Sequence, residues 1–184
     1  MKYLVTGGAG FIGSHLVERL INLGHKVVVI DDFSLGKEEN LIKDNNLTVY
    51  RKNICDDLSE IFNEDKFDAV FHLAALPRVQ FSIKEPIKTH NANINGILNL
   101  LDYCRRFNIK RFVFSSSSSV YGDQEKLPFT EVMNPNPMSP YALHKLVGEY
   151  YCSLFNMLYG VETISLRYFN VYGQDRMLKA AMLV

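Results

Sequence analysis

The chain has 184 residues, 47% of them hydrophobic, which suits one domain with a sizeable core and is too short for two ordinary domains. Basic and acidic side chains number 20 each, so charge favours neither a nucleic acid nor an acidic membrane surface as partner. Cys55, Cys104 and Cys152 are odd in number and widely spaced, which argues against a disulfide framework or a zinc site. Because no apolar run is long enough to span a membrane and no signal peptide precedes the first strand, we expect a cytoplasmic protein.

The first predicted elements are a strand at 2–6 and an amphipathic helix at 11–23, joined by glycines. Gly8, Gly10 and Gly13 have the G-x-G-x-x-G spacing, which gives a sharp turn and lets backbone approach a pyrophosphate closely. The free N–H groups and the dipole at the helix N-terminus favour an anion there. This turn is therefore predicted to bind a dinucleotide.

The second predicted strand, 26–30, is apolar throughout, which is typical of a parallel sheet buried on both faces. Asp31 and Asp32 follow it, and Asp31 lies at about the twenty-residue offset expected for a carboxylate that binds the cofactor ribose. Such a carboxylate accepts the ribose hydroxyls of NAD and repels the 2′-phosphate of NADP. NAD is therefore the predicted cofactor.

Further strands are predicted at 47–51, 67–73, 110–115 and 161–167, and further helices at 57–62, 87–107 and 141–158. Strands and helices alternate along the chain without an internal repeat. This alternation predicts an α/β fold of three layers, with a Rossmann-like doubly wound parallel sheet between two layers of helices.

Residues that follow the third and fourth predicted strands are candidate cofactor contacts. Asn53 and Ile54 come after the third strand, where an adenine would lie between a polar group and an apolar side chain. Ala74 and Ala75 come after the fourth and have the small side chains that a close-lying dinucleotide requires. His72 lies within an apolar strand, so we interpret it as a packed, hydrogen-bonded core histidine without a catalytic role.

The two long predicted helices carry features that need partners. One of three asparagines in the first half of helix 87–107 is expected to hold a loop backbone or the cofactor, and the alternative is that they lie on a solvated surface: Asn91, Asn93 and Asn95. Apolar side chains form two stripes on helix 141–158: Leu143, Val147, Tyr151, Leu154 and Leu158 on one, and Leu146, Tyr150 and Met157 on the other. A helix that is apolar on two faces needs two partners, so we expect a homodimer with a four-helix interface built from 87–107 and 141–158 of both subunits.

A tyrosine, a lysine and a run of serines form the candidate catalytic group. Tyr141 and Lys145 are four residues apart and share a helix face, and the serines at 115–119 follow a strand at the carboxyl edge, where ligands bind in this architecture. An adjacent ammonium and a positively charged nicotinamide would lower the pKa of the Tyr141 phenol, ordinarily about 10, and make it a base. The alternative is a chance tyrosine–lysine spacing beside an ordinary serine-rich turn.

Several motifs together resemble the extended short-chain dehydrogenase/reductases, in particular the NAD-dependent epimerase/dehydratase family, and are most similar to nucleotide-sugar epimerases of the UDP-glucose 4-epimerase type. The motifs are Gly7-Gly8-Ala9-Gly10-Phe11-Ile12-Gly13, His72-Leu73-Ala74-Ala75, Ser115-Ser116-Ser117, Val120-Tyr121-Gly122, Ser139-Pro140-Tyr141 with Lys145, and Leu166-Arg167-Tyr168-Phe169-Asn170-Val171-Tyr172-Gly173. They occur in the family's order from residue 1 to about residue 173.

The resemblance implies a role for each matching residue. Tyr141 would be the catalytic base, Lys145 would bind the nicotinamide ribose and lower the pKa of the tyrosine, and Ser117 would bridge the tyrosine and the sugar. Ser119 would lie near the sugar and Asn170 near the substrate phosphates. Implied cofactor contacts are Gly7, Gly10, Phe11, Ile12, Gly13, Asp31, Asp32, Asn53, Ile54, Leu73, Ala74, Ala75, Tyr141, Lys145 and Phe169.

The resemblance also implies a reaction, the 4-epimerisation of a UDP-hexose or UDP-N-acetylhexosamine. Tyr141 would take the sugar hydroxyl proton as hydride passes to NAD, and after the 4-keto sugar turns over, hydride would return to its other face. Related dehydratases carry Asp-Glu directly after the catalytic hydroxyl residue and related decarboxylases a Glu two residues after it, whereas this chain has Ser118 and Ser119. Epimerisation is therefore favoured over dehydration, and a reductase is disfavoured because Asp31 opposes a phosphorylated cofactor.

The chain departs from the family pattern at two places. Asn53 stands where the family usually has an aspartate, although its amide oxygen can still accept from adenine. Residues 174–184 do not resemble the family, so we expect an NAD-binding domain at 1–173, a divergent tail at 174–184 and no substrate domain. The rival interpretation is a catalytically silent NAD-binding, dimerising module, because substrate positioning contributes a large part of catalysis.

Overall fold

The computed structural model describes residues 1–173, which form one parallel sheet of six strands flanked by helices. The strand order is β3-β2-β1-β4-β5-β6, and every neighbouring pair is parallel. The strands are Lys2–Thr6 (β1), Lys26–Asp31 (β2), Leu47–Arg51 (β3), Ala69–His72 (β4), Arg111–Ser117 (β5) and Glu162–Tyr168 (β6). Winding reverses between β1 and β4, and this order confirms the predicted Rossmann-like sheet.

Six helices connect the strands. They are Phe11–Asn22 (α1), Ser59–Glu64 (α2), Val79–Lys84 (α3), Pro86–His90 (α4), Gly96–Arg106 (α5) and Pro140–Tyr159 (α6). A π turn at Asn91–Asn95 joins α4 to α5, so the long helix predicted at 87–107 is present but interrupted. Helix α3 was not predicted, and it places a further element beside α6.

Two apolar clusters hold the layers together. Val5 and Val29 of the sheet pack against Val17 of α1 on one face. Helices α2, α5 and α6 cover the other face, where Leu100 and Phe112 are fully buried. A three-layer arrangement results, as the sequence predicts. In the described part of the chain, no helix combines the length and apolar character needed to cross a membrane.

The faces of α6 differ in part from the predicted stripes. Leu146 is buried, whereas Tyr150 and Met157, which were assigned to the same stripe, are exposed. The assignment fails because α6 contacts α3, α4, α5 and the π turn as well as the sheet, and the periodicity of one helix does not reveal where such neighbours lie. The exposed apolar side chains of α6 are Leu143, Tyr150, Leu154, Met157, Leu158 and Tyr159.

His72 is a core histidine, as predicted. Its side chain is 1% exposed, and its Nδ1 lies 2.8 Å from the Thr6 hydroxyl oxygen. Burial, with a smaller effect of the Lys145 charge, lowers the pKa of His72 to about 3. The imidazole is therefore neutral at pH 7 and braces β4 against β1.

Candidate active site

The glycine turn between β1 and α1 packs closely against neighbouring backbone. Gly7 has φ of +70°, and a Cβ there would lie 2.6 Å from the backbone nitrogen of Ala74. A Cβ at Gly13 would overlap the carbonyl oxygen of Gly7. Helix α1 begins after Gly10, and no side chain of the described residues caps it. Its first N–H groups therefore remain available at the turn, which fits a pyrophosphate.

Asp31 braces this turn from the end of β2. The backbone N–H of Ala9 donates to Asp31 Oδ2 over 2.9 Å, and that of Phe33 donates to Oδ1 over 2.8 Å. Burial raises the pKa of Asp31, and these two N–H donors partly offset that effect. Each carboxylate oxygen keeps further acceptor capacity that a ribose hydroxyl can use. Asn40, which the sequence did not single out, donates to the carbonyl oxygen of Ala9 over 2.8 Å.

Asp32 and Asn53 connect the ends of β2 and β3. Asn53 Nδ2 donates to Asp32 Oδ2 over 2.8 Å, and the amide oxygen of Asn53 accepts from the backbone N–H of Cys55 over 2.9 Å. Ile54 is 7% exposed and packs in the core against Gly96. Asp32 and Asn53 therefore lie at the carboxyl ends of β2 and β3, and the Ile54 side chain is largely buried in the core.

The loop after β4, which carries Leu73, Ala74 and Ala75, is held by the long helix. Asn93 Oδ1 accepts from the backbone N–H of Leu76 over 2.8 Å, and Asn93 Nδ2 donates to the carbonyl oxygen of Leu76 over 3.2 Å. Of the alternatives considered for the three asparagines, Asn93 therefore holds loop backbone. The π turn places its amide in this position.

The structure brings Tyr141, Lys145 and Ser117 together at the carboxyl end of β5. Tyr141 is 9% exposed and Lys145 is 4% exposed, both on the first two turns of α6. The Lys145 ammonium donates to the carbonyl oxygen of Ser115 over 2.7 Å and lies 5.8 Å from the centre of the Tyr141 ring. Ser119 donates its hydroxyl to Ser117 Oγ over 2.7 Å.

Burial dominates the electrostatics of this group. It raises the pKa of the Tyr141 phenol, and the hydroxyl of Ser117 offsets part of that effect. It also lowers the pKa of Lys145 to about 8. Burial of the phenol therefore raises the pKa of Tyr141, and the lowering expected from the ammonium together with a bound nicotinamide stays a prediction.

A charged cluster that the sequence did not reveal joins α6 to the neighbouring strands β5 and β6. Arg167 on β6 donates to Glu149 on α6 through Nε and Nη2, over 2.9 and 2.7 Å. The hydroxyl of Ser116 on β5 donates to the same carboxylate over 2.5 Å. The guanidinium lies 4.6 Å from the centre of the Tyr121 ring. The helix that carries Tyr141 is thus tied to the strands that border the site.

Two further predicted site residues, Phe169 and Asn170, are exposed after the end of β6. Phe169 follows β6, is 57% exposed and packs 5.9 Å from Phe129 and 6.3 Å from Tyr121 between ring centres. Asn170 is exposed beside it. Both lie next to the end of β6, at the same edge of the sheet as Ser117. The tail at 174–184 lies outside the described residues.

A doubly wound parallel sheet with a glycine turn at its switch point defines a dinucleotide-binding protein. The profile of the NAD dependent epimerase/dehydratase family matches residues 3–182. The chain belongs to the NAD-dependent epimerase/dehydratase family.

Relatives that are named as 4-epimerases agree with this family. The UDP-N-acetylglucosamine 4-epimerase of Methanobrevibacter ruminantium, solved with UDP-N-acetylmuramic acid, is 46% identical with a TM-score of 0.89 and is matched over 94% of this chain and 56% of its own. The Thermus thermophilus UDP-glucose 4-epimerase, solved with NAD, is 40% identical with a TM-score of 0.89 over 94% and 56%. The Lactobacillus helveticus UDP-glucose 4-epimerase is 39% identical over 94% and 52%. The chain spans just over half the length of these relatives.

Proposed function

We propose that this chain is the cofactor-binding and catalytic part of an NAD-dependent 4-epimerase that acts on a UDP-hexose or UDP-N-acetylhexosamine. The observation that carries the proposal is the convergence of Tyr141, Lys145 and Ser117 at the edge of the sheet that also holds the glycine turn. Relatives named as 4-epimerases of UDP-glucose and of UDP-N-acetylglucosamine support the substrate class.

The residues around the turn fit NAD. The uncapped N-terminus of α1 would bind the pyrophosphate, Asp31 would accept the ribose hydroxyls, and Asn53 would border the adenine. Ala74 and Phe169 would border the nicotinamide end. When bound, NAD supplies an acceptor for a hydride from the sugar carbon and a donor that returns it.

Tyr141 moves the proton in this proposal. Its phenolate takes the proton of the sugar hydroxyl as that carbon is oxidised, holds it, and gives it back when the carbon is reduced on its other face. Ser117 orients the sugar hydroxyl toward the phenol. Lys145, with a pKa of about 8, is mostly cationic at pH 7 and stabilises the phenolate that burial alone disfavours.

The residues after Ser117 support epimerisation over elimination of water. Ser118 and Ser119 occupy the positions where a carboxylic acid would protonate a leaving hydroxyl. A serine hydroxyl does not supply such an acid near neutral pH, so the keto sugar has no route to dehydration from these positions. The proton and the hydride both return to the sugar, and no net redox change results.

Turnover with two sugars tests the proposal. The chain is loaded with NAD and incubated with UDP-glucose and separately with UDP-N-acetylglucosamine, and products are followed by proton NMR. We expect interconversion of at least one pair of C4 epimers, about 10²–10⁴-fold slower in Tyr141→Phe, the range for loss of a general base. Tyr159→Phe, at the far end of the same helix, is the matched control and is expected to retain activity.

Cofactor binding separates the ways in which this proposal can fail. NAD binding without turnover of either sugar would support the silent NAD-binding module instead. Failure to bind NAD would contradict both functions.

We also propose that the chain forms a homodimer through α4–α5 and α6. The support is an apolar surface on these helices, where Ile87 is 77% exposed, Met157 is 70% exposed and Leu158 is 59% exposed. Ile87 lies beside His144 near the start of α6, and Met157 and Leu158 lie near its other end. Exposed apolar side chains spread along two packed helices favour association. Two copies of each helix would meet about a two-fold axis.

A further inference from the structure

The first turn of α6 donates one of its hydrogen bonds to a different element. Its N-cap, Ser139, accepts from the backbone N–H of Ala142 over 3.1 Å, as a helix cap ordinarily does. The backbone N–H of Tyr141 instead donates to the hydroxyl oxygen of Ser82 on α3, over 3.0 Å. The peptide that carries the candidate base is therefore held from outside its own helix.

Ser82 is built to accept this bond. Its side chain is 0% exposed, so water does not compete for it. The Ser82 hydroxyl donates its single proton to the carbonyl oxygen of Val79 over 2.6 Å, which leaves the oxygen lone pairs for the N–H of Tyr141. Since a buried N–H without a partner is costly, this contact restrains the position of Tyr141 strongly.

The same segment reaches the loop that borders the candidate cofactor site. Helix α3 follows the loop after β4, and Asn93 holds that loop at Leu76. The chain segment from Leu76 to Ser82 thus connects the loop held by Asn93 to the backbone of Tyr141. The phenol lies at the other end of the tyrosine, within reach of the Ser117 hydroxyl.

We propose that Ser82 is a positioning residue that holds the Tyr141 backbone so that the phenol stays against Ser117. The inference rests on the proposed function for its catalytic consequence. Its physical basis is that a shift of about 1 Å in a reacting group can cost about 100-fold in rate. The bond between Ser82 and Tyr141 is independent of turnover, so it can be tested in a chain with or without activity.

The test compares Ser82→Ala with Ser139→Ala, which removes an equivalent hydrogen bond from the same helix end but not the one to Tyr141. Tyr141 is replaced by 3-fluorotyrosine in each protein, and fluorine NMR follows the ionisation of that phenol alone. We expect its pKa to rise in Ser82→Ala, because the Ser117 contact that lowers it is weakened, and to stay unchanged in Ser139→Ala. Ser82→Thr keeps the hydroxyl and is expected to restore the wild-type titration.

Turnover provides the second measurement. With the natural tyrosine, we expect kcat to fall about tenfold or more in Ser82→Ala, with KM for the UDP sugar within about twofold of wild type. Equal titration and equal kcat in Ser82→Ala and Ser139→Ala would overturn the positioning role. A wild-type chain without turnover, in which Ser82→Ala still shifts the phenol titration, would support the positioning role and contradict the proposed function.

Discussion

Replacing Lys145 by methionine tests whether the buried ammonium lowers the stability of the fold. Lys145 is 4% exposed, and burial lowers its pKa from 10.5 to about 8. At roughly 1.4 kcal/mol for each pKa unit, the charged form costs about 3 kcal/mol relative to the neutral form. Methionine has a similar length, carries no charge and fills irregular apolar space well.

The substitution also removes a hydrogen bond. The Lys145 ammonium donates to the carbonyl oxygen of Ser115 over 2.7 Å, and losing a hydrogen bond from a charged donor costs about 2 kcal/mol. We therefore expect the free energy of unfolding of Lys145→Met in urea at pH 7 to be about 1 kcal/mol greater than that of wild type. We also expect this variant to lose turnover. A variant less stable than wild type at pH 7 would refute this reasoning.

The pH dependence of the stability difference between wild type and Lys145→Met tests independently whether charge burial causes it. Below about pH 8, Lys145 is charged in both the native and the unfolded chain, so the native state carries the full free-energy cost of burying the ammonium. Between pH 8 and 10.5 the native state releases the proton first, and the stability of wild type rises relative to the variant. We expect the gap between the two proteins to narrow across that window. A gap that is constant from pH 7 to 10 would show that charge burial is not its cause.

Further variants test the turn, the charged cluster and the apolar surface. Gly13→Ala is expected to weaken NAD binding by about tenfold or more in calorimetry, because its methyl group would overlap a carbonyl oxygen of the turn. Gly24→Ala is the control, and because Gly24 has open space around it, NAD affinity should stay unchanged. Glu149→Ala removes the carboxylate from a largely buried guanidinium and should lower the free energy of urea unfolding by about 3 kcal/mol. Glu162→Ala, in an exposed pair, should lower it by about 0.5 kcal/mol, and equal losses would argue against the cluster. Leu154→Asp should convert a dimer to a monomer in sedimentation velocity, and a monomeric wild type would end the dimer proposal.

The order of the elements could be predicted because burial of a parallel sheet on both faces leaves a direct mark in the sequence. The strand predicted at 26–30 is found at Lys26–Asp31, and the acid that ends it lies at the glycine turn as expected. Tyr141 and Lys145 could be placed on one helix face because their spacing is that of one helical turn.

The supporting residues could not be predicted, because their roles depend on long-range contacts. The Ser82 hydroxyl accepts a hydrogen bond from the backbone of a residue 59 positions away, and a single serine in a short helix has no sequence pattern that predicts such a contact. Glu149 and Arg167 are partners because α6 packs against β6, and this packing cannot be read from their sequence spacing. The burial that raises the pKa of Tyr141 could not be predicted either, because it depends on neighbours from several elements.

The fate of the hydrogen at C4 of the sugar tests the central claim most directly. The NAD-loaded chain is incubated with UDP-glucose carrying deuterium at C4, and the product is examined by NMR and mass spectrometry. The account predicts UDP-galactose that retains deuterium at C4, since the hydrogen leaves and returns to the same carbon, with the rate lost in Tyr141→Phe. Loss of the label to solvent, or NAD binding without any UDP-galactose, would contradict it.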